Sequence, residues 1–393
     1  MKKIFILLVV LLLAGCGSVD NQKKEKVSEE KVKEEKVDKI DEIMKGMSLD
    51  EKIAQMLVIH YDGSTVDDNL KNILNSNPPS GFILLADNIT DYEGTRNFVL
   101  NLKSNSKYPL IVSMDQEGGN VQRLNNFSDV NPTYIPFMYN LGKTNDTSLA
   151  YNTGRVMALE MRTIGINVDF APVLDVFSNK NNMVIGKRSF GDNTSVVSDM
   201  AISLAKGLED NSVIATYKHF PGHGDTDIDS HKSLPIINKN LDELDNLEFV
   251  PFKNAIKSGA KLIMIGHIAL PSVTGDNTPA TLSKKIIDIL KNDLNYDGLI
   301  ITDALNMGAL TNTYSNEEIY VQAIDAGCDL LLMPNDGINT IEYIKNNVSE
   351  DRINESVRKI LKFKYDYLNE DNFLDSSYLG NSEHKAIINQ IPS

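Results

Sequence analysis

The fourteen residues "KHFPGHGDTDIDSH", Lys218 to His231, hold three of the chain's six histidines, together with a lysine and three aspartates. They directly follow an apolar run, where a strand would meet a loop. Three chemistries compete for such a stretch. His219, His223 and His231, with Asp225, Asp227 and Asp229, supply the nitrogen and oxygen donors that hold zinc or another divalent ion. Against a metal, Pro221 and Gly222 separate the first two histidines, so they do not share a helix face, and the aspartates alternate along a loop instead of framing a cage. The same residues suit acid/base work. Histidine titrates near neutrality, and an aspartate two residues earlier, Asp229 before His231, orients the ring and raises its proton affinity. The third reading is a purely structural polar loop. Spacing alone leaves all three open.

Covalent chemistry would need a nucleophile on a rigid strand end, and Asp303 in "LIITDALNMGAL" occupies one. An aspartate there has a competing role, capping the helix that follows.

Such side chains need a scaffold. Eight apolar, β-rich runs recur along the chain: "QMLVIHYDG", "GFILLADN", "YPLIVSMDQEGG", "INVDFAPVLDV", "VIATYKHFPG", "AKLIMIGHIALP", "DGLIITDALN" and "CDLLLMP". Several are continuously apolar, as expected for parallel strands buried on both faces. Amphipathic stretches lie between them; Val197, Ala201, Leu204 and Leu208, for example, recur at steps of three and four. This predicts an α/β fold, a single (β/α)8 TIM-type barrel. Function then belongs at the carboxyl ends of the strands, where His60, Asp115, Glu117, Asp175, Lys218, His219, His267 and Asp303 cluster.

The ends of the chain read differently. Residues 1–15 have two lysines and an eleven-residue apolar run, the shape of a secretory signal and too short for a spanning helix of about 20 residues. "LAGC" resembles the bacterial lipobox, which predicts Cys16 as a lipidated amino terminus. Residues 16–39 read as a charged flexible tether, with seven lysines and five glutamates between Lys23 and Lys39. The expected division is a signal at 1–15, the tether at 16–39, the barrel at 40–368 and a polar tail at 369–393, with the protein anchored to the outer face of a bacterial plasma membrane. Cys328 is expected to be a small buried core residue. A formal net charge of −15 argues against nucleic-acid partners.

"KHFPGHGDTDIDSHKSLP", "MDQEGGNVQRL", "IGKRSFGDN", "ITDALNMGAL" and "MSLDEKIAQML" together resemble the β-N-acetylglucosaminidase branch of glycoside hydrolase family 3, over roughly residues 45–368 and in matching order. The resemblance implies a retaining exo-glycosidase without metal or cofactor. It releases terminal β-linked N-acetylhexosamine, with cell-wall muropeptides as substrate. By matching position, Asp303 would be the nucleophile and His231 the acid/base, in a dyad with Asp229. Asp115, Arg123, Arg188, Lys218 and His219 would hold the sugar hydroxyls. His223 matches no catalytic position and is expected to hold the loop. Family members usually read "EGGRVQR"; here Asn120 replaces the first arginine, while Arg123 is intact. Three alternatives stay open: a phosphorylase using phosphate as acceptor, a non-catalytic sugar-binding lipoprotein, and a metal-dependent hydrolase.

Overall fold

A computed structural model describes residues 39–226, 230, 232–368 and 373–393. The expected signal, Cys16, most of the tether, Asp229 and His231 therefore lie outside the described residues. The chain divides into two compact units at Gly46 and Met47; of the first, residues 39–45 are helical.

The main sheet of the second unit has eight strands: β1 (Leu57–Ile59), β2 (Gly81–Ile83), β3 (Ile111–Met114), β4 (Val168–Asp169), β5 (Ile214–Phe220), β6 (Leu262–Ile265), β7 (Leu299–Thr302) and β8 (Leu331–Leu332). Each falls inside one of the eight apolar runs. Every strand residue is buried, which explains why the runs lack a polar alternation. All pairings within this sheet are parallel and sequential, and β8 returns to β1 with Leu57 opposite Leu331. Between β7 and β8 one bridge, Ile301 opposite Leu330, and the bond from Thr302 N–H to Leu330 O (3.0 Å) nearly close the ring. The result is a TIM-type α/β barrel.

Helices separate the strands, including α1 (Leu49–Ala54), α2 (Asp68–Ser76), α3 (Tyr92–Ser104), α4 (Thr147–Met161), α5 (Thr194–Glu209), α6 (Phe249–Lys257), α7 (Asn316–Ala326) and α8 (Glu350–Tyr367). Local sequence starts several of them. Ser48 and Glu51 form a reciprocal capping box on α1, and Asp67 and Asp91 cap α2 and α3. The predicted stripe of Val197, Ala201, Leu204 and Leu208 is the buried face of α5. Packing of α5 on α4 is close enough that a Cβ at Gly154 would lie 2.0 Å from Leu204 O, so that position takes only glycine. Phe220 at the end of β5 stacks on Phe249 at 5.4 Å and meets Phe252 edge-on at 5.2 Å, fixing β5 to α6. Cys328 is buried and its thiol is pushed up to about 12, so it is inert core.

Within the expected polar tail, residues 373–393 include α9 (Ser382–Ile388) and are docked on the barrel. Buried Glu160 of α4 receives Thr133 Oγ1 (2.6 Å), Gly380 N–H (3.0 Å) and His384 Nδ1 (2.9 Å). Ile388 and Ile391 are buried alongside this polar cluster.

Lys364 of α8 is fully buried without a carboxylate; its Nζ donates to Gln55 Oε1 (2.7 Å) and Ser80 O (3.2 Å). Burial pushes its ammonium down to about 7. Between that value and the ordinary lysine value of about 10.4, the unfolded chain holds a proton that the folded chain lacks, so stability rises with pH. From pH 7 to 8.5 this contributes about 1–2 kcal/mol, and the melting temperature is expected to rise by a few degrees. Lys364→Met should flatten that slope in calorimetry; an unchanged slope would assign it to other groups.

Candidate active site

The carboxyl ends of β3, β4, β5 and β7 converge on one charged cluster. After β3 the chain makes a tight hairpin, Gln116–Gly118 against Val121–Gln122. Gly119 at its turn has φ +59°, and a Cβ there would sit 2.2 Å from Phe137 Cδ1. The paired glycines of "EGG" thus turn the chain back, bringing Arg123 Nη2 to 3.3 Å from Asp115 Oδ2.

Lys218, near the end of β5, is 3% exposed and its Nζ lies 2.9 Å from Asp115 Oδ1 and 2.6 Å from Glu117 Oε1. Arg188 grips Glu117 in a bidentate pair, Nε to Oε2 and Nη2 to Oε1 both at 2.7 Å. Burial works against the Glu117 charge, yet Arg188 and Lys218 outweigh it and hold the carboxyl far below the usual range. Burial likewise opposes the Lys218 charge, and Asp115 and Glu117 raise its proton affinity in spite of it. His219 places Nδ1 2.7 Å from Asp175 Oδ2, while its Nε2 faces Arg188 Nη2 at 3.5 Å.

Asp303 follows β7. Its N–H donates to Ile265 O (2.9 Å), and its Oδ1 accepts the Ala304 N–H (2.8 Å). Burial disfavours its charge, but His219, His267, the Ala304 N–H and Lys218 overcome this and hold the carboxyl below its ordinary value. The next helix begins at Gly308 with Met307 at its cap position, so Asp303 is not the helix cap that its sequence position also allowed. His267 is committed to structure, with Nδ1 2.7 Å from Thr281 Oγ1 and Nε2 2.9 Å from Ala304 O.

Of the residues singled out from sequence, Asp115, Arg123, Arg188, Lys218 and His219 form one continuous network, and Asp303 feels the charge of two of them. Asp229 and His231 are outside the described residues, but Thr226 and Ser230 beside them are described. His223, expected to hold this loop, sets Nδ1 2.7 Å from Thr226 Oγ1 and Nε2 3.3 Å from Ser230 Oγ. Burial pushes its imidazole down to about 4, so it is neutral at neutral pH. A second anchor lies alongside: Lys239 Nζ pairs with buried Glu248 and with Asp225 Oδ2 (2.9 Å).

Two residues carry more than sequence reasoning gave them. Glu117 binds both cations, and Asp175 binds His219; both were noted only as polar strand ends. Asp169 was missed. Buried at the end of β4, it accepts the Gln116 N–H at 2.9 Å, and burial, with Asp115 and Glu117 nearby, pushes its carboxyl well above the ordinary range. An aspartate inside the otherwise apolar "INVDFAPV" was the available signal.

A shared ion between His219 and His223 does not fit these contacts. Both nitrogens of His223 have protein partners, and the open nitrogen of His219 faces a guanidinium. Among the described residues, His60, Asp62 and Asp87 form the grouping with metal-ligand geometry, His60 Nε2 lying 3.3 Å from each carboxylate, and both aspartates are exposed.

Comparison with known proteins agrees with this architecture. Residues 48–363 match the model for the glycosyl hydrolase family 3 N terminal domain. A β-hexosaminidase of Nitrosomonas eutropha is 34% identical over 287 residues, covering 71% of this chain and 80% of that protein. β-Hexosaminidase A of Pseudoalteromonas piscicida is 29% identical over 82% of this chain, which spans 60% of that relative's length. Among solved structures, a glycoside hydrolase family 3 β-N-acetylglucosaminidase from Paenibacillus sp. str. FPU-7 superposes with a TM-score of 0.81 at 32% identity, over 88% of this chain and 68% of that one.

Proposed function

The chain belongs to glycosyl hydrolase family 3 and is a glycosidase, and we propose that it is a retaining exo-β-N-acetylhexosaminidase acting on N-acetylglucosamine-containing cell-wall fragments. The observation that carries this reading is Asp303 at the carboxyl end of β7, its N–H bonded to Ile265 O (2.9 Å) and its Oδ1 accepting the Ala304 N–H (2.8 Å), with His219, His267 and Lys218 outweighing burial to favour its charge. Asp303 attacks the anomeric carbon as the glycosidic bond breaks, giving a glycosyl-enzyme. His231, oriented by Asp229, protonates the departing oxygen and then takes a proton from the water that displaces Asp303 from the anomeric carbon, and the two inversions retain configuration. Asp115, Arg123, Arg188, Lys218 and His219 hold the sugar hydroxyls in a site of low dielectric, where such bonds are strong.

Water is the acceptor in this reading, and phosphate is the alternative: Lys218, Arg188 and Arg123 share the two carboxylates Asp115 and Glu117, so these ion pairs do not by themselves repel an anion. We further propose that Cys16 anchors the protein by lipid to the outer face of the bacterial membrane, from "LAGC" after its short apolar run.

One experiment addresses both. Cell fractions are assayed with an aryl N-acetylglucosaminide and an aryl glucoside, with and without phosphate. Activity should be confined to the N-acetylated substrate, unaffected by phosphate, and found with membranes. Cys16→Ser should move it to the soluble fraction or leave the precursor uncleaved. Preference for glucoside, dependence on phosphate, or normal processing and membrane retention of Cys16→Ser would each overturn the corresponding claim.

A further inference from the structure

Asp169 ends β4, and it has no solvent exposure. Its backbone lies opposite Met114 at the end of β3, where the Phe170 N–H donates to Met114 O (2.9 Å). Beyond Met114 the chain leaves the sheet for the hairpin, so the buried Gln116 N–H needs an acceptor that the ladder no longer supplies. Asp169 Oδ1 supplies it at 2.9 Å. Gln116 stands between Asp115, which pairs with Lys218 and Arg123, and Glu117, which pairs with Lys218 and Arg188. Its Oε1 also accepts the Leu124 N–H at 3.3 Å, next to Arg123. Both arms of the hairpin are thus fastened to β4 through one residue. Asp169 Oδ2 is buried and meets no hydrogen-bond partner among the described residues.

We propose that Asp169 is a positioning residue that holds the sugar-binding hairpin as a neutral carboxylic acid, accepting the Gln116 N–H between Asp115 and Glu117 without setting a third carboxylate charge against Lys218. The inference rests on the glycosidase reading given above, which makes Asp115, Arg123, Arg188 and Lys218 partners of the sugar.

The task needs an acceptor and not a charge. Lys218 already meets two carboxylates, and an ionised Asp169 would compete with them for it. A buried charge met by a single N–H is costly. A carboxylic acid keeps its carbonyl oxygen for that donor, and its unpaired hydroxyl costs far less than an unpaired charge. The electrostatics agree. Burial is the largest influence on the Asp169 carboxyl and raises its proton affinity; Asp115 and Glu117 add to this, against the pull of the Gln116 N–H and Lys218. Asparagine would reproduce the arrangement, its amide oxygen toward the Gln116 N–H. Valine suits a strand but offers no acceptor.

The test compares wild type, Asp169→Asn and Asp169→Val at neutral pH. Three readouts are taken: the inhibition constant of free N-acetylglucosamine, kcat/KM on an aryl N-acetylglucosaminide, and the infrared difference spectrum between wild type and Asp169→Asn. Asp169→Asn keeps the hydrogen bond and should stay within about threefold of wild type in both constants. Asp169→Val should weaken the sugar by about tenfold to a hundredfold, the loss expected when a buried donor is left without its acceptor, and kcat/KM should fall with it. The difference spectrum should carry the band of a protonated carboxyl. Glu209 and Glu248, whose carboxyls burial also raises, are common to both proteins and cancel. An Asp169→Asn variant as damaged as Asp169→Val, or a carboxylate band in place of the protonated one, would overturn the neutral acid. An unchanged inhibition constant in Asp169→Val would overturn the positioning role; if that variant does not fold, Asp169→Ala takes its place in the same comparison. A wild type that neither binds the amino sugar nor cleaves the glycoside would sink the substrate reading instead, and the infrared band would still test the neutral acid.

Discussion

Asp303→Asn is expected to abolish turnover, with kcat falling on the order of 10⁴-fold or more, as for other enzymes deprived of a nucleophile. The amide has nearly the same size, so the loss would come from chemistry and not from packing. In the wild type, a 5-fluoro glycosyl fluoride of the sugar should trap the intermediate and label one peptide containing Asp303. Mass spectrometry reads this directly. Labelling of another acid, or near-full activity in Asp303→Asn, would favour an oxazoline route through the substrate's own acetamido group. The electrostatics add a pH expectation. His219, His267, the Ala304 N–H and Lys218 together overcome burial and keep the Asp303 carboxyl below its ordinary value. Asp303 therefore stays ionised throughout the ordinary aspartate range and above it, and an acid limb of kcat/KM above that range belongs to another group.

His231→Ala should separate the two steps. General acid help typically contributes 10²–10⁴-fold, so glycosides with poor leaving groups should lose about that factor in kcat/KM. With 2,4-dinitrophenyl as leaving group the first step should be nearly spared. Water still needs a base in the second, so the glycosyl-enzyme should accumulate and a burst of phenolate should precede slow turnover. Azide needs no deprotonation and should restore turnover as a β-glycosyl azide. Equal losses for good and poor leaving groups, with no azide rescue, would leave His231 holding the sugar or the loop. His223 would not then be a ready substitute, because both its ring nitrogens already have partners within the turn.

The scaffold was legible because strands buried on both faces leave continuous apolar runs, and all eight were found. The polar residues closing those runs were legible too, since a charge at the end of a buried strand has few structural reasons to be there. Their partnerships were not. That Glu117 clamps both Lys218 and Arg188 depends on a hairpin folding back and on a residue 71 positions away. Asp169 and Lys364 look alike in sequence to charged residues that stay in water; what makes them unusual is full burial without an ion pair among the described residues, which only the fold creates. The docked C-terminal segment escaped notice for the same reason, as it is fastened by Glu160 and His384, separated by 224 positions.

The Glu117 clamp has a consequence for how substrate arrives. Because Lys218, Arg188 and Arg123 lie within a few ångströms of Asp115 and Glu117, most of their field is taken up locally and little extends outward to guide a ligand. Buried pairs of this kind are hardly screened by salt, so added electrolyte would neither loosen the clamp nor change the capture of an uncharged sugar. Encounter then runs at the rate that diffusion and orientation allow. For acidic wall fragments, the −15 formal charge of the whole chain acts instead as a distant brake, one that ionic strength releases.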